Sequence, residues 1–274
     1  MESFEVEKMS GTTHMMVEQL RKIPLSIDVL KQVRNWGTYF SDYLGLLRAP
    51  SVEYQLRNET RFLLRPGTAD RTIFNDIWLR KLYCRESALR PGDVVIDIGA
   101  HIGLFSLFAA SCSARVFSFE PFPENFSLLK ENIARSNFQD RILPSPLAVW
   151  TTLGQVNLYR SEQSTGSHSI MVPSSTCFEA KTTTLAQIMR DHQIHSCRVL
   201  KIDAEGSEYP ILYTAPSDVL GRIDQICLEW HDFGDKSHPE YEHNSLKTFL
   251  EERGFQVSFR PGWDVLLATR KPGN

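Results

Sequence analysis

Three carboxylates stand where apolar runs end. Asp97 closes Val94-Val95-Ile96, Glu120 closes Val116-Phe117-Ser118-Phe119, and Asp203 closes Val199-Leu200-Lys201-Ile202. β-branched apolar runs of this length read as buried strands. Acids at the ends of such strands collect at one edge of a sheet, where an open α/β fold holds its ligand. There a carboxylate can accept hydrogen bonds from a hydroxyl pair, meet an ammonium, or take a proton. Between Asp97 and the helix-forming run Leu104–Ala110 lies the short turn Gly99-Ala100-His101-Ile102-Gly103.

That turn narrows the ligand. A dinucleotide fingerprint needs G-x-G-x-x-G, because a pyrophosphate requires close backbone approach at a helix N-terminus. Here His101 occupies the position of the middle glycine, and no neighbouring Lys with Ser or Thr makes a phosphate-binding loop. A nucleoside without phosphate fits better, and S-adenosylmethionine is such a ligand. In that reading Asp97 meets its ammonium directly or through water. The amides of the turn, over Gly99, Ala100, His101 and Gly103, meet its carboxylate. Glu120, followed by Pro121, accepts from both ribose hydroxyls, and Asn125 orders the ribose loop. The third strand offers no acid to the adenine, so backbone near Ser145 and Ala148 must serve.

A further stretch, Lys201-Ile202-Asp203-Ala204-Glu205-Gly206-Ser207-Glu208, brings three acids to the same edge. Asp203 is expected where methyl group and acceptor meet. Candidate general bases are Asp203, His168 within Gly166-Ser167-His168-Ser169, and His231, which follows Glu229-Trp230 at another strand end. Asp203, Glu205, Glu229 and His231 could also hold a divalent metal through oxygen and imidazole. Acidic turns equally cap helices or orient substrates, so the expectation is a site without metal.

VVIDIGAHIGLFS, FSFEPFPENFSLLKENI and LKIDAEGSE together resemble the FkbM-type methyltransferase family. The resemblance runs roughly from Val52 to Thr269, and KIDAEGSE is its most specific part. It implies a Rossmann-like, seven-stranded, mostly parallel sheet with one antiparallel strand near the C-terminus. It implies S-adenosylmethionine as cofactor, methylation of hydroxyls on sugars, polyketides or other metabolites, cofactor contacts for Asp97, Gly99, Gly103 and Glu120, and an acidic turn of Asp203, Glu205 and Glu208. The chain departs from the family pattern at His101, where Asn is more usual.

The elements that must position these residues follow from periodicity. Apolar residues recur at helical spacing from about His14 to Leu47, interrupted at Pro24, after a polar stretch 1–13 that reads as disordered. Residues 1–50 are therefore expected to form an N-terminal helical cap over the substrate side, and 51–274 the Rossmann-like domain, with a hairpin over 52–65 and the core from 92. Asp70 can cap a helix carrying Ile73, Phe74, Ile77, Trp78 and Leu82. The arginines between Arg57 and Arg90 read as a solvated face or a patch for an anionic substrate. After Pro91-Gly92 the chain alternates: strand 94–98, helix 103–112, strand 115–120, helix 123–135, strand 141–145 and strand 155–159. The polar stretch Ser161–Thr176 reads as a loop. Helix 184–193, strand 198–203, a helix near 208–215, strand 225–230, helix 243–253 and a pair 255–259 and 264–269 complete the chain.

With 42% hydrophobic and 23% charged residues, 274 residues suffice for one α/β domain with an extension. A net charge of −3 gives no global attraction to nucleic acid or anionic membrane. Five scattered cysteines form no CxxC pair, no leader is evident and no apolar run reaches membrane-span length, which fits a cytoplasmic protein. The expectation is an S-adenosylmethionine-dependent O-methyltransferase acting on a small-molecule or sugar-bearing metabolite. Its rivals are an N-methyltransferase on a peptide or nucleic acid, and a catalytically silent cofactor-binding module.

Overall fold

A computed structural model describes residues 26–85, 88–159, 177–232 and 240–271. Residues 26–32 are helical and α1 spans Trp36–Tyr43. Strands β1, Val52–Gln55, and β2, Arg61–Leu64, pair as an antiparallel hairpin. A short helix α2, Asp70–Phe74, runs into a π-helical turn, Asn75–Leu79. The alternating core then begins: β3 Val94–Ile98, α3 Leu104–Ser111, β4 Arg115–Phe119, α4 Pro123–Arg135 and β5 Ile142–Ser145. Strands β6 Ala148–Val149, β7 Gly154–Tyr159 and β8 Cys177–Thr183 follow, then α5 Leu185–Asp191, β9 Cys197–Ile202, α6 Glu208–Thr214, α7 Ser217–Leu220 and β10 Ile223–Glu229. Helix α8, His243–Glu252, leads to β11 Phe255–Phe259 and β12 Val265–Arg270.

Seven strands form one sheet in the order β11-β12-β10-β9-β3-β4-β5. The pairs from β10 to β5 are all parallel, and β12 lies antiparallel to both its neighbours. From β3 the chain moves outward through β4 and β5, then crosses to β9 and β10 on the other side. A crevice opens at the carboxyl ends of strands where order reverses in this way, here between β3 and β9.

Alternation along β3 divides the core. Val95 packs with Leu107 and Phe108 of α3 on one face, whereas Ile96 and Ile98 pack with Leu185, Ile188 and Tyr209 on the other. Asp97 shares the face of Val95 and so lies under α3. The parallel register sets Ser118 and Lys201 beside Asp97 on either side, a buried polar stripe across an apolar sheet.

The hairpin is fastened to this core. Asn132 of α4 accepts from Leu63 N at 2.7 Å and donates to Leu63 O and Ile102 O at 3.2 and 2.9 Å. Trp78 donates its indole N–H to Leu104 O at 3.1 Å and stands edge-on to Phe108. The N-terminal helices pack on the hairpin: Asn35 holds Glu53 O and Gln55 N at 2.8 Å each, and Tyr39 donates to Asn75 at 3.0 Å.

Several local expectations need correction. Asp70 does not cap α2, whose N-cap is Ala69 without a side-chain bond. The Asp70 carboxylate is fully buried and takes three bonds of 2.9 Å from Arg65, through its backbone N, Nε and Nη2. The helix through Leu82 is broken into an α turn and a π turn, which swings Trp78 onto α3. Within the basic stretch, Arg65, Arg71 and Arg80 face Asp70, Asp42 and Asp76, while Arg57 and Arg61 are exposed. Strands β6 and β8 were not expected. They join β7 in a separate three-stranded sheet in the order β6-β8-β7. The first N-terminal helix and the polar stretch Ser161–Thr176 fall outside the described residues, apart from residue 26 onward. Among the described residues no helix is long and apolar enough to cross a membrane.

Candidate active site

A cavity of about 850 Å³, counted with its mouth, opens at the carboxyl ends of β3, β4 and β9. Gly99, Ala100, His101, Glu120, Pro121, Asn125, Ala148, Asp203 and Glu205 line it, together with Lys201 and the apolar side chains of Ile73, Ile77, Phe105, Leu147, Val149 and Leu158. Asp97, Gly103, Ser145, Glu208, Glu229 and His231 do not line it. His168 lies outside the described residues. The described N-terminal helices contribute nothing to the lining, which begins at Ile73; they back the hairpin instead of covering the cavity.

The glycine turn is built by close approach. Gly99 has φ +72°, and a Cβ there would lie 1.8 Å from Asp203 O, so β3 and β9 can converge only on glycine. Gly99 N and Ala100 N both donate to Phe119 O at 3.0 Å, which ties the turn to β4. His101 adopts φ +52°, the left-handed region that Asn and His enter more readily than most residues. That geometry explains why His can replace Asn without changing the turn.

The imidazole of His101 does something Asn could not do at this reach. Arg65 Nη2 lies 3.1 Å from His101 Nε2. Arginine has no acceptor, so Nε2 accepts and the ring proton sits on Nδ1. Burial, with Arg65 adding to it against the opposing pull of Asp70, drives the His101 pKa down to about 4. His101 is thus a neutral acceptor that braces Arg65 and Asp70 against the turn.

Glu120 is buried on the cavity wall. Its Oε2 accepts from His101 N at 2.8 Å and its Oε1 from Phe122 N at 2.9 Å. Each oxygen keeps a further lone pair. Burial raises its pKa to about 7, although both backbone bonds pull the other way.

Asp97 is placed differently from the sequence expectation. Its Oδ2 accepts from Ser106 Oγ at 2.6 Å, and Ser106 in turn meets Ser118 at 2.7 Å. Its Oδ1 faces Lys201 Nζ at 3.3 Å. Asp97 does not line the cavity, and Lys201, which does, stands against it. Lys201 also donates to Gly99 O at 2.7 Å and lies 3.5 Å from Asp203. Burial would discharge this lysine, but Asp97 and Asp203 outweigh it and hold its pKa above the usual lysine range. Sequence reasoning quoted Lys201 within KIDAEGSE without giving it a role. The signal was present: a lone lysine inside an apolar strand needs a partner acid.

The other side of the mouth is acidic. Tyr83 donates to Glu229 Oε2 at 2.8 Å and stands 3.4 Å from Asp203 Oδ2. Glu205, at φ +48°, turns its carboxylate toward His231, with 3.4 Å between Oε2 and Nε2. His231 Nδ1 lies 3.0 Å from Oε1 of Glu208, which is fully buried and also caps Ala204 N at 3.2 Å. Burial alone would lower the His231 pKa, yet Glu208, Glu205 and Asp203 raise it to about 10. An imidazole held charged between two carboxylates must first give up its proton before it can serve as a base, which is the condition on the His231 candidate. Burial raises both Glu205 and Glu229 to about 7, with Asp203 adding to each. Asp203, Glu205 and His231 bring one ligand atom each within 4.8 Å of one another.

Comparison with known proteins places the chain. A family model for the methyltransferase FkbM domain matches residues 97–257. The 31-O-demethyl-FK506 methyltransferase FkbM of Streptomyces tacrolimicus is 29% identical over 227 residues, covering 70% of this chain and 84% of that protein. The hexuronic acid methyltransferase AglP of Haloferax volcanii is 23% identical over 212 residues, covering 74% and 83%. A solved structure of a SAM-dependent methyltransferase from Agrobacterium tumefaciens aligns with 83% of this chain and 72% of its own at 14% identity; its TM-score of 0.47 adds nothing to the topology described above. The match spans the glycine turn, Glu120 and the acidic turn alike, and the chain belongs to the FkbM methyltransferase family of S-adenosylmethionine-dependent enzymes.

Proposed function

We propose that the chain transfers a methyl group from S-adenosylmethionine to a hydroxyl of a small-molecule or sugar-bearing metabolite. The observation that carries this reading is the wall around Glu120. A buried carboxylate, anchored by two backbone N–H groups and with lone pairs to spare, faces a cavity whose other walls are Leu147, Ala148, Val149 and Leu158. An acid beside an apolar slot suits a ribose diol joined to an adenine. The donor set at the far end suits the methionine portion: the Lys201 ammonium for its carboxylate, with Asp203 and the turn at Gly99 and Ala100 beside it. Asn125, buried and lining the cavity, serves the ribose side.

Bound there, the cofactor supplies a methyl group on an electrophilic sulfonium. The chain's own task is to align an acceptor oxygen and exclude water. Asp203 is the acid at the boundary between the two halves, steadied by Tyr83 and Lys201, and accepts the hydrogen bond of the acceptor hydroxyl. The names of the two relatives, a 31-O-demethyl-FK506 methyltransferase and a hexuronic acid methyltransferase, support an oxygen acceptor on a metabolite or sugar.

The test has two parts. Calorimetric titration with S-adenosylmethionine should show one site per chain, weakened at least tenfold in Glu120→Ala. Labelled methyl groups from the cofactor should then appear as alkali-stable ethers in a panel of polyols and macrolides. Absence of cofactor binding would overturn the reading outright. Label recovered on amines or as labile esters would overturn the assignment to hydroxyl oxygen.

A further inference from the structure

We propose that Asp203, Glu205 and His231 form a binding site for one divalent cation of the Mn²⁺ or Mg²⁺ class, at the acceptor end of the cavity. The proposal rests on the methyltransferase reading only for its purpose, which is to hold acceptor oxygens beside the methyl group. Its geometry stands alone.

The three ligand atoms lie within 4.8 Å of one another. Glu205 Oε2 and His231 Nε2 are 3.4 Å apart. Adjacent ligands of a six-coordinate ion with bonds of about 2.1–2.3 Å stand roughly 3.0–3.3 Å apart, so small side-chain adjustments suffice. Two carboxylates and one imidazole form a mainly oxygen donor set, which suits Mn²⁺ or Mg²⁺ with water completing the coordination. Asp203 and Glu205 both line the cavity, so the coordination positions left open face the space an acceptor would enter.

Two observations separate this cluster from an ordinary acidic turn. His231 is oriented from behind: its Nδ1 meets Glu208, whose side chain is 0% exposed, at 3.0 Å, and this leaves Nε2, whose proton the metal displaces on binding, toward Asp203 and Glu205. A carboxylate behind a histidine is the usual outer support of a metal ligand. Moreover, Glu208 Oε2 is buried without a hydrogen-bond partner. A buried carboxylate oxygen left unmatched is costly. Four carboxylates, Asp203, Glu205, Glu208 and Glu229, surround one lysine and one imidazole here. A bound dication would balance that charge.

The experiment is titration of the full chain, saturated with S-adenosylmethionine, with MnCl₂ alone, followed by loss of the free Mn²⁺ electron-paramagnetic signal. The wild-type chain should bind one ion. Glu205→Gln and His231→Gln should each weaken binding at least tenfold while leaving cofactor affinity unchanged. Pulsed measurements on the bound ion should show a coupled imidazole nitrogen that disappears in His231→Gln, a signature that a merely structural histidine would not supply. No binding at millimolar Mn²⁺, or binding that survives both substitutions with the nitrogen coupling intact, would overturn the proposal. Failure of cofactor binding in the same wild-type sample would instead sink the methyltransferase site reading, and the ion titration on cofactor-free protein would still decide the cation site.

Discussion

The two ends of the cavity solve the problem of burying charge in opposite ways. At the glycine turn each carboxylate faces a donor or a cation inside the protein, although Asp97 Oδ1 meets Lys201 without a hydrogen bond. Glu120 holds two backbone N–H groups, Asp97 is shared between Ser106 and Lys201, and Asp70 is closed off by Arg65. At the acidic turn, carboxylates outnumber the cations that face them, and Glu208 keeps one oxygen unmatched. Buried charge that is paired makes a rigid cradle, whereas buried charge in excess awaits something from outside. The first end is prepared for a ligand of fixed chemistry, and the second for whatever acceptor, or cation, completes it.

The largest break in this contrast should come from Gly99→Ala. A Cβ placed 1.8 Å from the Asp203 carbonyl cannot be relieved by a rotamer change, since both partners are backbone. Loss of more than about 4 kcal/mol is expected in urea denaturation, with both ends of the cavity damaged because the turn and β9 share that contact. A stability loss below about 1 kcal/mol would show that the close approach is not required.

Lys201→Met comes next. It leaves Asp97 charged, fully buried and without its counter-ion, at a cost of about 3–5 kcal/mol. Adding Asp97→Asn removes the stranded charge and should recover most of that loss in the denaturation midpoint. The double variant should still bind S-adenosylmethionine poorly, because the ammonium facing the cavity is gone. Recovery of cofactor affinity along with stability would mean that Lys201 serves the fold alone.

Glu120→Gln sharpens the contrast through pH. In the folded chain Glu120 holds its proton up to about pH 7, against 4.5 for an ordinary glutamate. Between those values the folded state binds more protons than the unfolded one, so stability falls as pH rises. This group's contribution is fully present below about pH 4.5 and lost as pH passes 7, a difference on the order of 3 kcal/mol. Glu120→Gln should flatten that segment of the stability curve. Cofactor affinity should run the other way, rising through pH 7 in the wild type as the carboxylate ionises. In the variant it should drop roughly tenfold to a hundredfold, the worth of charge-assisted bonds to hydroxyls. An unchanged stability profile in the variant would remove Glu120 as its source.

The smallest effect belongs to Tyr83→Phe. The phenol bridges Glu229 and Asp203, and its loss should cost roughly 1 kcal/mol in stability. Methyl transfer should slow several-fold at saturating cofactor, with cofactor affinity unchanged, since Tyr83 steadies only the acceptor end. A matching fall in cofactor affinity would erase the division between the two ends.

Much of the glycine-turn end of the cavity was legible in the sequence. The apolar runs of β3, β4 and β9 are buried on both faces, so the chain must write them almost without polar residues, and their closing acids stand out. Glu120 was read for that reason, Asn125 from its place one turn into the following helix, and Gly99 because a sharp turn needs its backbone freedom. Asp97 was read as an acid, but its ion pair with Lys201 was not. Its pairing with Lys201 arises from strand register between segments about a hundred residues apart in sequence, which no local pattern records. Tyr83 was invisible for a similar reason: it precedes the sheet and reaches Glu229 and Asp203 only after the π turn folds back. Of the cap expected over the substrate side, only the part from residue 26 onward is described, and it packs on the hairpin. An amphipathic helix declares that it has an apolar face, not which surface that face meets, and here it met the hairpin.

The sequence by itself determined the alternation of strands and helices, the family, and the acids delivered to one sheet edge. These depend on periodicity and on residues that must sit at strand ends. Tertiary structure alone decided which charges neutralise one another. Register placed Lys201 against Asp97, and the fold turned His231 into a group held by Glu205 and Glu208 instead of a free base. Electrostatic roles depend on separations of a few ångströms between residues far apart in the chain, and only the packed fold sets those separations.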